Sequence, residues 1–227
     1  MGSAVIDDSG AAQLLWFNAK TSQFGWWKLD TDLSTLGPVI SSISPLTTVA
    51  SGYVPALADV NGDNYADIVW TNPSSDQIYI WMNDQKGGFV AHSVAAHRPS
   101  GFTLFGAGDV DGDGQTDLVW TNPTAHQMAW WIMDGYVAKD QEVRSVTPGY
   151  SMASIADYDG DGLVDILWVG TAGDAYEWQG TGQGFESFRV ADASGNPLVI
   201  PAGEKVQANR LQGSATGGVE SPLGESH

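Results

Sequence analysis

The chain contains no cysteine, which excludes disulfide bonds, thiolate chemistry and cysteine-ligated metals. Basic residues are also scarce, since 9 Lys and Arg stand against 27 Asp and Glu, and the formal net charge is −18. Because this charge repels phosphate backbones, nucleic acid is not an expected partner. No apolar run approaches the roughly 18 residues of a membrane span, so we expect no membrane insertion.

Catalytic motifs are missing as well. The sequence has no G-x-S-x-G, P-loop or H-E-x-x-H motif, and its four histidines lack metal-ligand spacing. The protein is therefore predicted not to be an enzyme. Its first residues, Met-Gly-Ser-Ala-Val, lack the basic and apolar regions of a signal peptide. We interpret them as the start of a processed or trimmed chain and expect an extracellular, secreted protein.

Three segments of the chain repeat one pattern. ALADVNGDNYADIVWTNP, GAGDVDGDGQTDLVWTNP and SIADYDGDGLVDILWVGT superimpose without gaps, and their first aspartates at 59, 109 and 157 give offsets of 50 and 48 residues. A weaker copy begins the chain, because residues 13–18 align with residues 67–72 at an offset of 54. Its acidic loop has decayed to Val5, Asp7 and Ser9.

Tryptophan supports the same alignment. Eight of the ten tryptophans occupy two repeat positions: Trp16, Trp70, Trp120 and Trp168, then Trp27, Trp81, Trp131 and Trp178. Large aromatic residues at matching sites indicate packing between repeats. The other two, Trp26 and Trp130, occupy equivalent positions just before the second set, where both core packing and stacking on a ligand remain open.

Each repeat contains about four short runs of β-branched and aromatic residues between turn sequences, and none has a sustained helical period. The sequence thus predicts an all-β protein, a β-propeller of about four four-stranded antiparallel blades, as a closed four-bladed ring or part of a larger propeller. Residues 197–200 and 205–208 are candidates for a strand that closes the ring. The expected single domain is 1–212, with repeats near 1–49, 50–100, 101–149 and 150–200, a closing segment at 201–212 and a flexible tail at 213–227.

The repeated loops D-x-[DN]-G-D-x-x-x-D place oxygen side chains at positions 1, 3, 5 and 9, as a hard cation with 6 to 8 oxygen ligands requires. By analogy with the EF-hand loop, position 7 supplies a backbone carbonyl, and glycine or asparagine at positions 4 and 6 permits a tight turn. Such sequences also form turns without metal. Three copies in register favour Ca²⁺, about three ions in all. The predicted ligands are Asp59, Asn61, Asp63, Tyr65 and Asp67; Asp109, Asp111, Asp113, Gln115 and Asp117; and Asp157, Asp159, Asp161, Leu163 and Asp165.

The string D-x-[DN]-G-D-x-x-x-D-[IL]-[VL]-W resembles the FG-GAP (VCBS-type) repeat of integrin α-subunit-like propellers, over roughly residues 4 to 190. The resemblance implies that the calcium ions are structural and that ligands bind between or above the blades. It departs from the family at the first loop, where no metal is expected.

Two functions follow from these features. The first is a calcium-stabilised extracellular binding or adhesion module that recognises a glycan or a protein surface, with Trp26 and Trp130 as candidate ligand contacts. The alternative is a structural or self-assembling propeller, in which a homo-oligomer completes the ring. The sequence leaves the ligand open.

Overall fold

The computed structural model describes residues 2–30, 39–201 and 204, which form seventeen β-strands in four sheets. We call these sheets blades one to four. Blade one comprises β1 (Ser3–Ala4), β2 (Gln13–Asn18), β3 (Gln23–Asp30), β4 (Val39–Ile43) and β5 (Thr47–Thr48). Blade two comprises β6 (Val54–Ala58), β7 (Asp67–Thr71), β8 (Tyr79–Asn83) and β9 (Phe89–Ser93). Blade three comprises β10 (Thr103–Gly108), β11 (Asp117–Asn122), β12 (Gln127–Asp134) and β13 (Val137–Ser145). Blade four comprises β14 (Tyr150–Ala156), β15 (Asp165–Gly170), β16 (Ala175–Gly180) and β17 (Phe185–Arg189).

Each blade contains a four-stranded antiparallel meander, to which blade one adds β5 as a further partner of β3, so the predicted all-β architecture of four antiparallel blades is confirmed. The first strand of blade one, which no clear sequence pattern indicates, is only the two residues of β1, paired with β2. The described part of the chain contains no helix long and apolar enough to span a membrane.

The core consists of three apolar clusters, one between each pair of neighbouring blades. Blades two and three therefore each bury two faces: a leading face toward the preceding blade and a trailing face toward the next one. In blade two the leading face carries Leu57, Ile68 and Trp70, and the trailing face carries Val69 and Ile80. This alternation within one strand follows from the two-residue period of β-structure, and it explains why β7 is apolar at consecutive positions.

Six of the eight repeated tryptophans, those of blades two to four, belong to these clusters, whereas Trp16 and Trp27 lie on the leading face of blade one, outside them. In each blade the second-strand tryptophan lies beside the third-strand tryptophan, with ring centroids 6.0, 5.1, 5.0 and 5.1 Å apart in blades one to four. The indole N–H groups of the second-strand set, Trp16, Trp70, Trp120 and Trp168, are buried without a hydrogen-bond acceptor among the described residues. The tryptophans of blades two to four therefore pack between blades, as predicted, whereas Trp16 and Trp27 pack against each other within blade one.

Backbone hydrogen bonds also join neighbouring blades at their first loops. The N–H group at loop position 8 donates to the carbonyl at loop position 1 of the preceding blade. The pairs are Ala66 to Val5 at 2.9 Å, Thr116 to Asp59 at 2.7 Å, and Val164 to Asp109 at 2.6 Å. The acidic loops thus lie at the junctions between blades.

The segment after blade four differs from the expectation of a closing strand. Residues 197–200 turn back onto blade four, where Val199 pairs with Asp174 and the Ile200 N–H donates to the Gly173 carbonyl at 2.8 Å. Among the described residues, no hydrogen bond, ion pair or ring contact joins blade one to blade four. Residues 205–208, most of the segment 201–212 and the tail 213–227 lie outside the described residues.

Candidate metal centres and ligand grooves

Each of the three complete acidic loops joins the first strand of its blade to the second. The glycines at position 4 have φ of +70°, +83° and +82° in blades two, three and four, and position 6 is also left-handed, with Asn64 at +67°, Gly114 at +82° and Gly162 at +94°. Only residues that tolerate positive φ allow the chain to turn this tightly. The glycine pattern is therefore the local reason that the loops close around a common centre.

The aspartate at position 1 organises the loop interior. In blade three, the two carboxylate oxygens of Asp109 accept the N–H groups of Gly112 at 2.6 Å and Gly114 at 2.8 Å. Asp157 accepts the equivalent groups of Gly160 at 2.7 Å and Gly162 at 3.0 Å. These hydrogen bonds hold the position-1 carboxylate facing the loop centre.

The aspartate at position 9 is the most buried member of each site. Asp67, Asp117 and Asp165 are 0%, 0% and 1% exposed. Asp117 accepts the N–H of Val110 with one oxygen and the N–H of Met133 with the other, both at 2.8 Å. Asp67 and Asp165 make the same pair of contacts in their blades. Position 9 therefore fastens its loop to the third strand.

Burial changes the acidity of these groups. Desolvation raises the pKa of Asp67 and of Asp117 to about 7, although backbone hydrogen bonds oppose it, and neighbouring loop aspartates add to the rise. The pKa of Asp59 and of Asp165 is raised chiefly by the same desolvation. Without a cation, a buried carboxylate surrounded by others is costly to ionise.

The side chains that converge in these loops fit a calcium ion. Carboxylate oxygens of Asp109, Asp111 and Asp117 lie within 4.8 Å of one another, as do those of Asp157, Asp159 and Asp165. A donor set made only of oxygens suits Ca²⁺. In blade two the amide of Asn61 replaces one carboxylate and donates to Asp63 at 3.1 Å.

Positions 5 and 7 interact with each other within the loop. The N–H groups of Tyr65, Gln115 and Leu163 donate to the carboxylates of Asp63, Asp113 and Asp161 at 2.9, 2.8 and 2.8 Å. Each of these carboxylates uses one oxygen in this contact.

In the first loop, the ammonium group of a lysine from strand β3 contacts the loop aspartate. The Lys28 ammonium lies 3.0 Å from Asp7, and Gln13, which is fully buried at the ninth position, donates from its amide to Asp7 at 2.9 Å. Burial alone would raise the pKa of Asp7, but hydrogen bonds from Ser9 and Lys28 and the lysine charge lower it to about 2. Lys28 and Gln13 thus provide Asp7 with a positive charge and a hydrogen-bond donor, which the aspartates of the three complete loops do not receive from a lysine or a glutamine at these positions.

Two open grooves lie at equivalent places between neighbouring blades. Groove 3–4, between blades three and four, has a volume of about 590 Å³ and is lined by Val110, Asp111, Trp130, Ile132, Asp140, Glu142, Val143, Arg144, Gly182, Gln183 and Gly184. Groove 1–2 has a volume of about 290 Å³ and is lined by Phe24, Trp26, Ser44, Pro45, Thr47, Trp81, Gly87, Gly88, Phe89 and Ala91. The two tryptophans singled out in the sequence as ligand candidates therefore each line one groove.

Both tryptophans also pack against the following blade. The Trp26 indole N–H donates to the Gly87 carbonyl at 2.9 Å, and Trp130, 6% exposed, meets Phe185 edge to face at 5.4 Å. The Arg144 guanidinium lies 5.4 Å from the centre of the Trp130 ring and donates to the Phe185 carbonyl at 2.8 Å. The tryptophans form the groove floors, whereas the polar groups of groove 3–4 come from strand β13, the β16–β17 turn and Asp111 of the acidic loop.

The acidic loops and the order of the blades match a known repeat. The FG-GAP-like repeat matches residues 59–120 and 109–168, each match running from the first aspartate of one loop to the second-strand tryptophan of the next blade. Residues 59–168 of this chain are therefore FG-GAP-like repeats. The resemblance inferred from the loop sequences is thereby confirmed. A comparison with curated proteins found no match to the chain.

Solved structures are similar to this FG-GAP-like repeat protein to different degrees. An Agrocybe aegerita lectin, described for specific recognition of non-reducing terminal N-acetylglucosamine, matches with a TM-score of 0.59 and 21% identity over 85% of this chain and 52% of the lectin chain. The chain thus spans about half the length of that lectin. The Photorhabdus luminescens Tc holotoxin pore (TM-score 0.46, 19% identity, 87% of this chain, 10% of that one) and the V. cholerae biofilm matrix protein Bap1 (0.38, 17%, 88%, 29%) are more distant.

Proposed function

We propose that this protein is a calcium-stabilised extracellular binding module that recognises a glycan in the grooves between its blades. The observation that carries the proposal is the pair of equivalent grooves, each with a tryptophan floor from one blade and a glycine-containing turn from the next. The lectin that shares the fold is described for N-acetylglucosamine, which makes that sugar the first probe.

Groove 3–4 has the chemistry that a sugar requires. A pyranose ring presents an apolar C–H face and a rim of hydroxyl groups. Ile132 and Trp130 supply apolar surface, Asp140 and Glu142 accept hydrogen bonds from hydroxyl groups, and Arg144 donates them. A mixture of apolar floor and convergent polar groups is typical of a specific small-ligand site.

Calcium supports this groove indirectly. Asp111, at position 3 of its loop, also lines groove 3–4, and the loop carbonyl of Asp109 accepts the N–H of Val164 from blade four. An ion bound in this loop would fix the junction between the two walls of the groove. In this proposal the metal performs no chemistry, and the aspartates serve as ligands and not as catalytic groups.

The test is a glycan array followed by calorimetric titration with N-acetylglucosamine, in calcium and after chelation. Glu142→Gln keeps the shape of the exposed side chain and removes its charge, so affinity should fall about tenfold. Glu186→Gln is the matched control, because Glu186 is exposed on β17 and does not line the groove. Equal affinity for both variants, or no binding to any glycan, would contradict the proposal.

A further inference from the structure

The outermost faces of the arc of blades are uncovered. Every internal junction joins the trailing face of one blade to the leading face of the next, and this happens three times with equivalent residues. Two faces take no part in these junctions, the leading face of blade one and the trailing face of blade four. Comparison with the internal faces shows how much apolar surface they present.

The leading face of blade one exposes apolar residues that the other blades bury. Leu14 is 38% exposed, whereas its equivalents Ile68, Leu118 and Ile166 are all 0% exposed. Leu14 pairs with Trp27, which pairs with Ile43, so these three side chains form one row on one face. Ile43, at the outer end of the row, is 62% exposed.

The trailing face of blade four is uncovered in the same way. Tyr158 is 47% exposed, whereas its equivalents Val60 and Val110 are 0% and 1% exposed. Leu167, Glu177 and Phe188 pair in register and form a row on this face, with Phe188 47% exposed. Glu177 replaces the buried Ile80 of blade two and Trp130 of blade three.

The contacts between neighbouring acidic loops also stop at blade four, whose loop has no following loop to contact among the described residues. A Cβ on Gly62 would meet the Gly114 carbonyl at 3.1 Å, and one on Gly112 would meet Leu163 at 3.4 Å, but a Cβ on Gly160 would meet nothing within 4 Å. The carbonyl of Asp157 accepts no backbone hydrogen bond of the kind that Asp59 and Asp109 accept, among the described residues. Blade four is thus built to receive a following blade.

We propose that the free trailing face of blade four binds the free leading face of blade one in a second copy of this chain. The two faces are complementary because they repeat the surfaces that already join blades one to four. A head-to-tail contact of this kind closes when its rotation permits, and two copies of four blades give an eight-bladed ring, within the usual size range of propellers. This inference does not depend on the glycan proposal.

The chemistry of the two faces also predicts the strength of the contact. Apolar residues of both faces would leave water, which favours association. Glu177 would lose water without a repeat-equivalent partner, so the contact between copies is weaker than the internal junctions. Association should therefore depend on protein concentration.

The experiment is light scattering and sedimentation velocity over a range of concentrations, with folding checked by circular dichroism. The unmodified protein should form a dimer. Ile43→Asp and Phe188→Asp change exposed side chains on the two faces, and each should weaken the dimer at least about tenfold. Glu177→Ile, which installs the residue of blade two, should strengthen it. Val90→Asp is the control, because Val90 is exposed on an outer strand at a junction that is already filled.

Mixing the two variants distinguishes a head-to-tail contact from nonspecific association of apolar surfaces. Ile43→Asp leaves the trailing face intact and Phe188→Asp leaves the leading face intact, so an equimolar mixture should recover association through one unmodified contact. A monomer at all concentrations would overturn the proposal. So would a dimer that Ile43→Asp abolishes and Phe188→Asp leaves unchanged, because that result indicates two leading faces in contact.

Discussion

Without calcium, this protein should lose stability as the pH rises toward 7, whereas most proteins are most stable between about pH 5 and 8. Burial raises the pKa of Asp67 and of Asp117 from 3.8 to about 7 in the metal-free fold. The folded chain then binds protons more tightly than the unfolded chain, so stability is greatest below the unfolded pKa and is lost as pH rises toward 7. The metal-free protein should therefore become less stable between about pH 4 and 7.

The size of this effect follows from the shift. A rise of about three pKa units at 1.36 kcal/mol per unit corresponds to on the order of 4 kcal/mol for each aspartate. Two such groups represent a large part of the 5–15 kcal/mol that stabilises a typical domain. Calcium bound as proposed would replace these protons, so its affinity should rise as the aspartates ionise.

The assay is thermal unfolding of metal-stripped protein from pH 5 to pH 8, with and without excess Ca²⁺. The melting temperature of the stripped protein should fall by several degrees over this range, and the stabilisation by calcium should widen. Asp117→Asn removes one titrating group and should flatten the dependence. A melting temperature of the stripped protein that stays level or rises with pH would refute the reasoning.

Three further predictions concern the loops. Calorimetric titration should find about three Ca²⁺ sites, with Asp113→Ala removing or weakening one and lowering the melting temperature only when calcium is present. Lys28→Met should cost about 1–2 kcal/mol of unfolding free energy equally with calcium and with chelator, because Asp7 loses its internal cation, as chemical denaturation would show. Gly62→Ala should lower the melting temperature more than Gly160→Ala, since both have positive φ but only Gly62 faces a carbonyl of the next loop.

The repeats made much of the fold predictable. Because three segments of the chain align without gaps, Trp70, Trp120 and Trp168 had to occupy one environment, and a blade packed against its neighbours provides it. The strand order within a blade follows from the short connections between runs. The loop aspartates were predicted for the same reason, since three copies at identical spacing are unusual for ordinary turns.

Other features depend on contacts distant in the chain. Lys28 reaches Asp7 from strand β3, and no local pattern marks it as the partner of the first loop. The role of Gln13 could have been predicted, because it aligns with Asp67 in the repeat. An amide at this ninth position leaves the first loop with one carboxylate fewer than the complete loops. The polar wall of groove 3–4 likewise combines Glu142 with Gln183 from another blade, a proximity that sequence spacing does not contain.

The acidic loops serve two structural purposes with the same few residues. The side chain of Asp109 faces the proposed ion, while its carbonyl accepts the N–H of Val164 from the next blade. A loop that loosens without metal must therefore also weaken the junction behind it. In blade four the carbonyl of Asp157 has no such partner among the described residues, so calcium bound there as proposed would order a surface that is free to receive a blade. If both proposals hold, calcium bound at the fourth loop should strengthen association between copies, and chelation should dissociate the dimer before it unfolds the blades.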